Sequence, residues 1–224
     1  MSKLFCSFIF AASVLSTTSF AIPPNFYTEQ QQLIQYHNSG AYQYDLQQVT
    51  AQAKQYLSQR LATPHKKNNL AIMLDVDETS LSNFAAIKIF YNSVSNVGDT
   101  LNKKDLKILT DPFHASAIGP TLSLYRYALK NHVAVFFVTG RTENDRAGTV
   151  RNLKHVGFNK WQALTLRQPN QAHVPAKIYK ANAAADIKKQ GYDIVFAMGD
   201  QYSDLPQQYA DKVYKLPNPF YFIP

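Results

Sequence analysis

Four short apolar runs limit how this chain can fold: LAIML (70–74), VAVFFV (133–138), ALTL (163–166) and IVFAM (194–198). Each has the length of a strand, and none alternates regularly with polar residues, the pattern of strands buried on both faces. Helical stretches lie between them: GPTLSLYRYALKN before the second, ENDRAGTVRNLKHVG after it, and ANAAADIKKQG before the fourth. Strands alternating with helices predict an α/β fold, a parallel sheet covered on both sides. KVYKL (212–216) supplies a shorter fifth strand. With 224 residues, 46% of them hydrophobic, the chain can bury a core as one domain or as one domain with an insertion.

Three of the runs lead directly into polar residues. DVDET continues the first, TGR (139–141) the second and GDQYSD (199–204) the fourth. Ligands of open parallel sheets bind outside the carboxyl ends of the strands, so three distant segments place their polar residues at one edge. One polar strand end is an ordinary turn; three together predict a site.

Within DVDET, Asp75, Asp77 and Glu78 fall inside four positions. Crowded carboxylates repel, and each loses water on burial. The two carboxylates of DVD, Asp75 and Asp77, make with Asp200 and Asp204 a hard, oxygen-rich cluster suited to magnesium, and a divalent cation would let the aspartates stay ionised. A calcium-binding EF-hand loop is excluded, because its sixth position would be Ser80 rather than Gly and its twelfth Ala86 rather than Glu. A carboxylate beside such a cation can attack phosphorus, while a second carboxyl protonates the leaving oxygen and later activates water. A hydroxyl and a lysine complete that chemistry. Asp75, Asp77, Thr139, Asp200 and either Lys177 or Lys180 supply the set.

The flanks read differently. Residues 1–21 have the form of a secretory signal: Lys3, then LFCSFIFAASVL, then STTSFA with Ser19 and Ala21 at the cleavage-determining places. Cys6, the single cysteine, lies in its apolar stretch and not at a cleavage point, so no lipid anchor is expected and a mature chain starting near Ile22 has neither disulfides nor thiolate chemistry. No run is long enough for a membrane span. Without Lys3 the formal charge falls from +8 to +7. The lysines are scattered, which suits anionic small molecules better than a nucleic acid polymer. Residues 22–69 read as a helical lead-in of two helices broken near Asn38–Gly40, with Leu46, Val49, Ala53, Tyr56 and Leu57 at helical spacing. Residues 80–118 are too long for a simple connection and read as a small cap inserted after the first strand, with Phe84, Phe90, Tyr91 and Phe113 as its aromatic positions.

With these motifs in this order, the chain resembles the haloacid-dehalogenase (HAD) superfamily of phosphohydrolases. Within it, the resemblance is to the secreted acid phosphatase branch, subfamily IIIB, with bacterial class B and class C enzymes and plant vegetative-storage-type phosphatases. It rests on DVDETSLSN, FFVTGR, IYKANAAADIKKQGYDIVFAMGDQYSDL and the tail KLPNPFYFIP, and extends to the lead-in YHNSGAYQYDLQQVTAQAK. It implies a Rossmann-like sheet, with residues 70–79 and 119–224 as core, 80–118 as cap and a periplasmic or secreted location.

It further implies Asp75 as nucleophile and Asp77 as general acid and base, with Thr139 and Lys180 binding the phosphoryl group. Lys180 matches the family's lysine better than Lys177. Magnesium would be held by the Asp75 carboxylate, the Asp77 backbone carbonyl and Asp200, supported by Asp204. Arg141 and Asn83 match the family too, equally as structural residues or as substrate contacts. The partner is a small phosphomonoester; a homo-oligomer is compatible with the sequence. Some plant members serve as storage proteins, so a catalytically weak storage protein, or a phosphate- or nucleotide-binding protein, is the alternative. The presence of Asp75 and of the paired Asp77 argues against it.

Overall fold

The fold is described from a computed structural model, over residues 24–63, 69–95, 101–110 and 113–223. The signal expected over residues 1–21, Cys6 included, lies outside the described residues. Two helices come first, α1 (Phe26–Asn38) and α2 (Ala41–Ala62). Asn25 caps α1 by accepting the Tyr27 N–H at 2.9 Å. Between the helices Gly40 has φ +88°, a left-handed conformation that glycine adopts without penalty, so the chain breaks where the sequence placed the break. On α2 the buried residues are Tyr42, Leu46, Thr50, Ala53 and Leu57, one helical stripe. Val49 and Tyr56 flank it, partly buried.

The four apolar runs become strands β1 (Asn69–Leu74), β4 (Ala134–Thr142), β5 (Ala163–Arg167) and β6 (Tyr192–Gly199), and KVYKL falls largely within β7 (Ala210–Lys215). They form one parallel sheet in the order β5-β4-β1-β6-β7. Helices α5 (Gly119–Lys130), α6 (Arg146–His155) and α7 (Ala176–Lys189) connect them. The chain runs from β1 outward through β4 to β5, then returns to the other side of β1 with β6. That reversal makes β1 the switch point, where open sheets hold ligands.

The side-chain period of two on β1 divides the interior. Ile72 and Leu74 join the larger core, with Leu46 and Leu57 of α2 and Leu124 and Tyr125 of α5. Ala71 and Met73 face the smaller core, with Tyr179, Ala183, Ala184 and Ile187 of α7. A bulge in β6 opposite Ala71 and Ile72 resets this alternation. Val195 and Phe196 consequently both join the larger core, while Ile194 and Ala197 join the smaller one.

Two boundaries differ from the sequence reading. β4 continues four residues past its apolar run, because Thr142 still pairs with Arg167 of β5. α7 starts at Ala176 rather than near residue 180, because Pro175, with φ already fixed, serves as its N-cap. Lys180 is therefore the fifth residue of the helix and not its opening one.

Residues 80–118 leave and rejoin the sheet edge through two short antiparallel strands, β2 (Leu81–Ser82) and β3 (Ser116–Ala117), paired Leu81 to Ala117. Between them are α3 (Phe84–Ser95) and α4 (Lys103–Thr110). Phe84 is buried in the larger core beside Phe220, stacked on His37 of α1 with ring centroids 3.4 Å apart.

Candidate active site

β1 and β6 end level with each other, and the Asp75 N–H donates to the Met198 carbonyl at 3.0 Å. That contact puts the residues after β1 beside those after β6. Asp75, Asp200 and Asp204 are all buried, and each offers a carboxylate oxygen within 4.8 Å of the others. Gly199 permits this approach: a Cβ there would collide with the Asp204 side chain.

The carboxylates are held by distinct donors. Lys180 Nζ pairs with Asp75 Oδ1, lies 3.1 Å from Asp204 Oδ1 and donates to the Val138 carbonyl. Lys177, by contrast, is exposed. Asp204 also accepts the Gln201 N–H at 2.9 Å. Asp200 accepts from the Thr79 hydroxyl at 3.0 Å and from the Gln201 and Asn218 side-chain amides at 2.7 Å each.

Burial pushes the Asp75 carboxyl well above the usual carboxylate range; Lys180 opposes the rise, and Asp204, Asp200 and Asp77 add to it. Burial and Asp204 likewise raise Asp200, against its three hydrogen-bond donors. Burial disfavours charge on Lys180 as well, but Asp204 and Asp75 outweigh it and keep the ammonium protonated. One buried cation thus serves two carboxylates, with Asp200 held beside them by neutral donors. A cluster of hard oxygen donors with excess negative charge fits a divalent cation such as magnesium.

Asp77 is placed differently. Its side chain is about 30% exposed and is clamped by Arg141, whose Nε donates to Oδ2 at 2.9 Å and Nη2 to Oδ1 at 2.6 Å. Arg141 is anchored in turn on the Thr149 hydroxyl at 3.1 Å. Asn83 Nδ2 donates to Asp77 Oδ1 at 2.8 Å. Both Asp77 oxygens therefore accept N–H donors, Oδ1 from Arg141 and Asn83 and Oδ2 from Arg141 alone.

A cleft of about 1030 Å³ opens over this edge, with Asp75, Asp77, Lys180, Asp200 and Asp204 in its wall. Ile87, Val174, Pro175 and Ile223 contribute apolar lining. Thr139 belongs to the same edge but is fully buried, its hydroxyl accepting the Arg141 N–H at 3.1 Å, and is not part of the cleft wall. The four aromatic positions of residues 80–118 also lie outside that wall. Phe84 is core, Phe90 is exposed, the Tyr91 hydroxyl donates to the Phe220 carbonyl, and Phe113 packs beneath the guanidiniums of Arg141 and Arg151.

Sequence reasoning gave no role to Glu78, Gln201, Asn218 or Tyr221. Glu78 is buried with a left-handed backbone, φ +49°. It accepts the Asn83 N–H at 2.6 Å, Asn83 Nδ2 at 3.2 Å and the Tyr221 hydroxyl at 2.6 Å. Burial raises its carboxyl to about 7, against the hydrogen bonds from Tyr221 and Asn83, and Asp77 adds to the rise. A usable signal was present: β7 is parallel to its neighbours, so residues after Lys215 must start at the same edge as the aspartates.

Comparison with known proteins gives consistent results. The family described as HAD superfamily, subfamily IIIB (acid phosphatase) matches residues 5–224. Acid phosphatase 1 of tomato (Solanum lycopersicum) is 35% identical over 152 residues, 67% of this chain and 58% of that protein. Vegetative storage protein 1 of Arabidopsis thaliana is 32% identical over 186 residues, 83% of this chain and 67% of that protein. The fold is similar to that of the class C acid phosphatase from Bacillus anthracis, with a TM-score of 0.66 at 20% identity over 88% of this chain and 86% of that one.

Proposed function

The chain belongs to the acid phosphatases of HAD subfamily IIIB, and from that premise we propose that it is a secreted, magnesium-dependent phosphomonoesterase that works through an aspartyl-phosphate. Its substrates are small phosphomonoesters such as nucleoside monophosphates and aryl or alkyl phosphates. The observation that carries this reading is the convergence of Asp75, Asp200 and Asp204 at the sheet switch point, with Lys180 between Asp75 and Asp204. Residues 70–79 and 119–224 form the catalytic core and residues 80–118 a cap. Secretion rests on the signal-like residues 1–21; among the described residues no helix is long and apolar enough to cross a membrane.

Asp75 attacks phosphorus, and the ester oxygen leaves as it takes a proton from Asp77. Asp75 then carries the phosphoryl group, and Asp77 is a carboxylate able to accept a proton from water. That water attacks the same phosphorus, releases inorganic phosphate and restores both aspartates. Lys180 holds Asp75 in place and neutralises non-bridging oxygens, and Thr139, beneath the cleft wall, acts on the phosphoryl site through the Arg141 backbone N–H that its hydroxyl accepts. The carboxylates of Asp75 and Asp200 and the Asp77 carbonyl would hold magnesium, with Asp204 in support. When bound, the metal supplies charge neutralisation at the phosphoryl oxygens.

The similarity to a vegetative storage protein keeps a storage or binding role as the second reading. One experiment separates them. The purified protein should hydrolyse p-nitrophenyl phosphate, lose that activity with chelator and regain it with magnesium. Full activity after exhaustive chelation would refute the metal assignment, and no activity with magnesium across pH 4 to 8 would favour the storage reading.

A further inference from the structure

Residues 216–223 lie along the acidic edge and donate to two of its carboxylates. Asn218 donates to Asp200 at 2.7 Å, and Tyr221 donates to Glu78 at 2.6 Å. The segment is itself fixed: Phe220 is buried beside Phe84 and Tyr42, and the Ile223 N–H donates to Gln201 Oε1 at 3.0 Å.

Glu78 is an unusual residue to find beneath this contact. A non-glycine residue in a left-handed conformation is strained and persists only where its surroundings hold it. Its side chain is held by three donors, two of them on Asn83. The same Asn83 amide that bonds Glu78 also bonds Asp77. One side-chain amide is thus shared between a carboxylate fixed by Tyr221 and the carboxyl assigned to proton transfer. The Asn83 carbonyl accepts the Ile87 N–H at 3.0 Å, which ties the start of α3 to the same arrangement.

We propose that Tyr221 is a positioning residue for the general acid, acting through Glu78 and Asn83 on Asp77. This rests on the acid role given to Asp77 above. Arg141 clamps Asp77 across both oxygens, and the Asn83 amide adds a hydrogen bond to Oδ1 from a different segment of the chain, fixing how the carboxyl is turned. Burial together with the neighbouring charge of Glu78 holds the Tyr221 hydroxyl protonated, so it remains a donor. Without that donor Glu78 keeps only its bonds to Asn83, and Asn83 is free to turn with it.

A merely structural tyrosine and a positioning one differ in how their loss depends on the leaving group. Alkyl phosphates need the proton from Asp77, whereas p-nitrophenyl phosphate leaves without much help. Pre-steady-state rates of the first step should be measured for both ester types in wild type, Asp77→Asn and Tyr221→Phe. Tyr221→Phe should lose about tenfold or more on the alkyl ester and several-fold less on the nitrophenyl ester, with KM within about twofold. Equal losses on the two esters, or none, would overturn the proposal. If Asp77→Asn itself shows no leaving-group difference, the acid assignment fails and the proposal fails with it. If only Tyr221→Phe lacks the difference, the proposal fails alone. Should Tyr221→Phe not fold, Glu78→Gln, which removes the acceptor shared by Tyr221 and Asn83, is judged by the same criterion.

Discussion

The carboxyl edge of the sheet and the helices of residues 80–118 are built by opposite rules. At the edge, Asp200 accepts three hydrogen bonds, Asp77 is gripped by Arg141 and Asn83, and Lys180 touches two carboxylates and a carbonyl. On α3 and α4, Phe90, Val94 and Leu106 stand more than half exposed. The edge concentrates like charge where water is scarce, an arrangement that opposes folding and suits electrostatic stabilisation of a reacting phosphoryl group. The helices beyond it carry little of that load. Substitutions at the edge should therefore alter chemistry, whereas those on the outer helices should alter little.

Asp75→Asn tests the first half of this contrast most severely. It keeps the shape and removes the attacking charge, so turnover should fall at least about a thousandfold, about 4 kcal/mol of barrier. The variant should melt no earlier than wild type in metal-free buffer. Asparagine removes a charge whose burial and carboxylate neighbours disfavour it, while Lys180 retains Asp204 and the Val138 carbonyl. Retention of more than about a tenth of the turnover, a barrier change under about 1.4 kcal/mol, would assign the nucleophile elsewhere.

The contact between the two regions comes next. His37 of α1 stacks on Phe84 of α3, and burial lowers its pKa, with Lys88 adding to the effect against the hydrogen bond that its Nδ1–H donates to Asn38 Oδ1. Above the unfolded value near 6.5 the ring is neutral in both states, and its contribution to stability is fully present. As pH falls through the lowered folded value, the unfolded chain gains the proton first and that stability is lost. His37→Phe keeps a ring against Phe84 and removes the titration. Its stability should fall less than that of wild type between pH 7 and 5, as urea midpoints at the two values would show. Parallel curves would mean that the stack is indifferent to charge.

The smallest effect belongs to the outer surface. Phe90→Ala should change stability by no more than about 0.5 kcal/mol and leave kcat on p-nitrophenyl phosphate unchanged. A tenfold loss would show that α3 takes part in turnover and would remove the contrast.

How much was legible beforehand obeys the same division. The central strands β1, β4 and β6 could be read from apolar runs because burial on both faces leaves few other residues possible, and the edge strands β5 and β7, less buried, from their place in the alternation with helices. Asp75, Asp200 and Asp204 could be placed at one edge because strand ends in a parallel sheet fall there by geometry, whereas Lys180, on a helix, was set apart from Lys177 by the family resemblance. Thr139 could be placed at the edge but not below the cleft wall, since that depends on a hydrogen bond to the Arg141 backbone. The start of α7 was misplaced because Pro175 sets it and alanine-rich helical pattern does not. The aromatics of residues 80–118 looked interchangeable, yet Phe84 entered the core while Phe90 stayed in solvent, a difference that only packing against His37 and Phe220 decides. The place of the tail could have been read from β7, but its pairing of Tyr221 with Glu78 could not, because that bond joins residues 143 positions apart.

That separation has a consequence for assembly. β1 pairs with β4 some 60 residues later and with β6 more than 120 residues later, and the two bonds from Asn218 and Tyr221 bring the end of the chain back to the same edge. Contacts of such sequence separation form slowly, because the entropy of loop closure is spent before any contact is gained. Three of the aspartates of one small cluster therefore meet only after β6 has docked beside β1. During refolding, helical signal should return ahead of phosphate-ester turnover, and the catalytic pocket should be the last part of the molecule to appear.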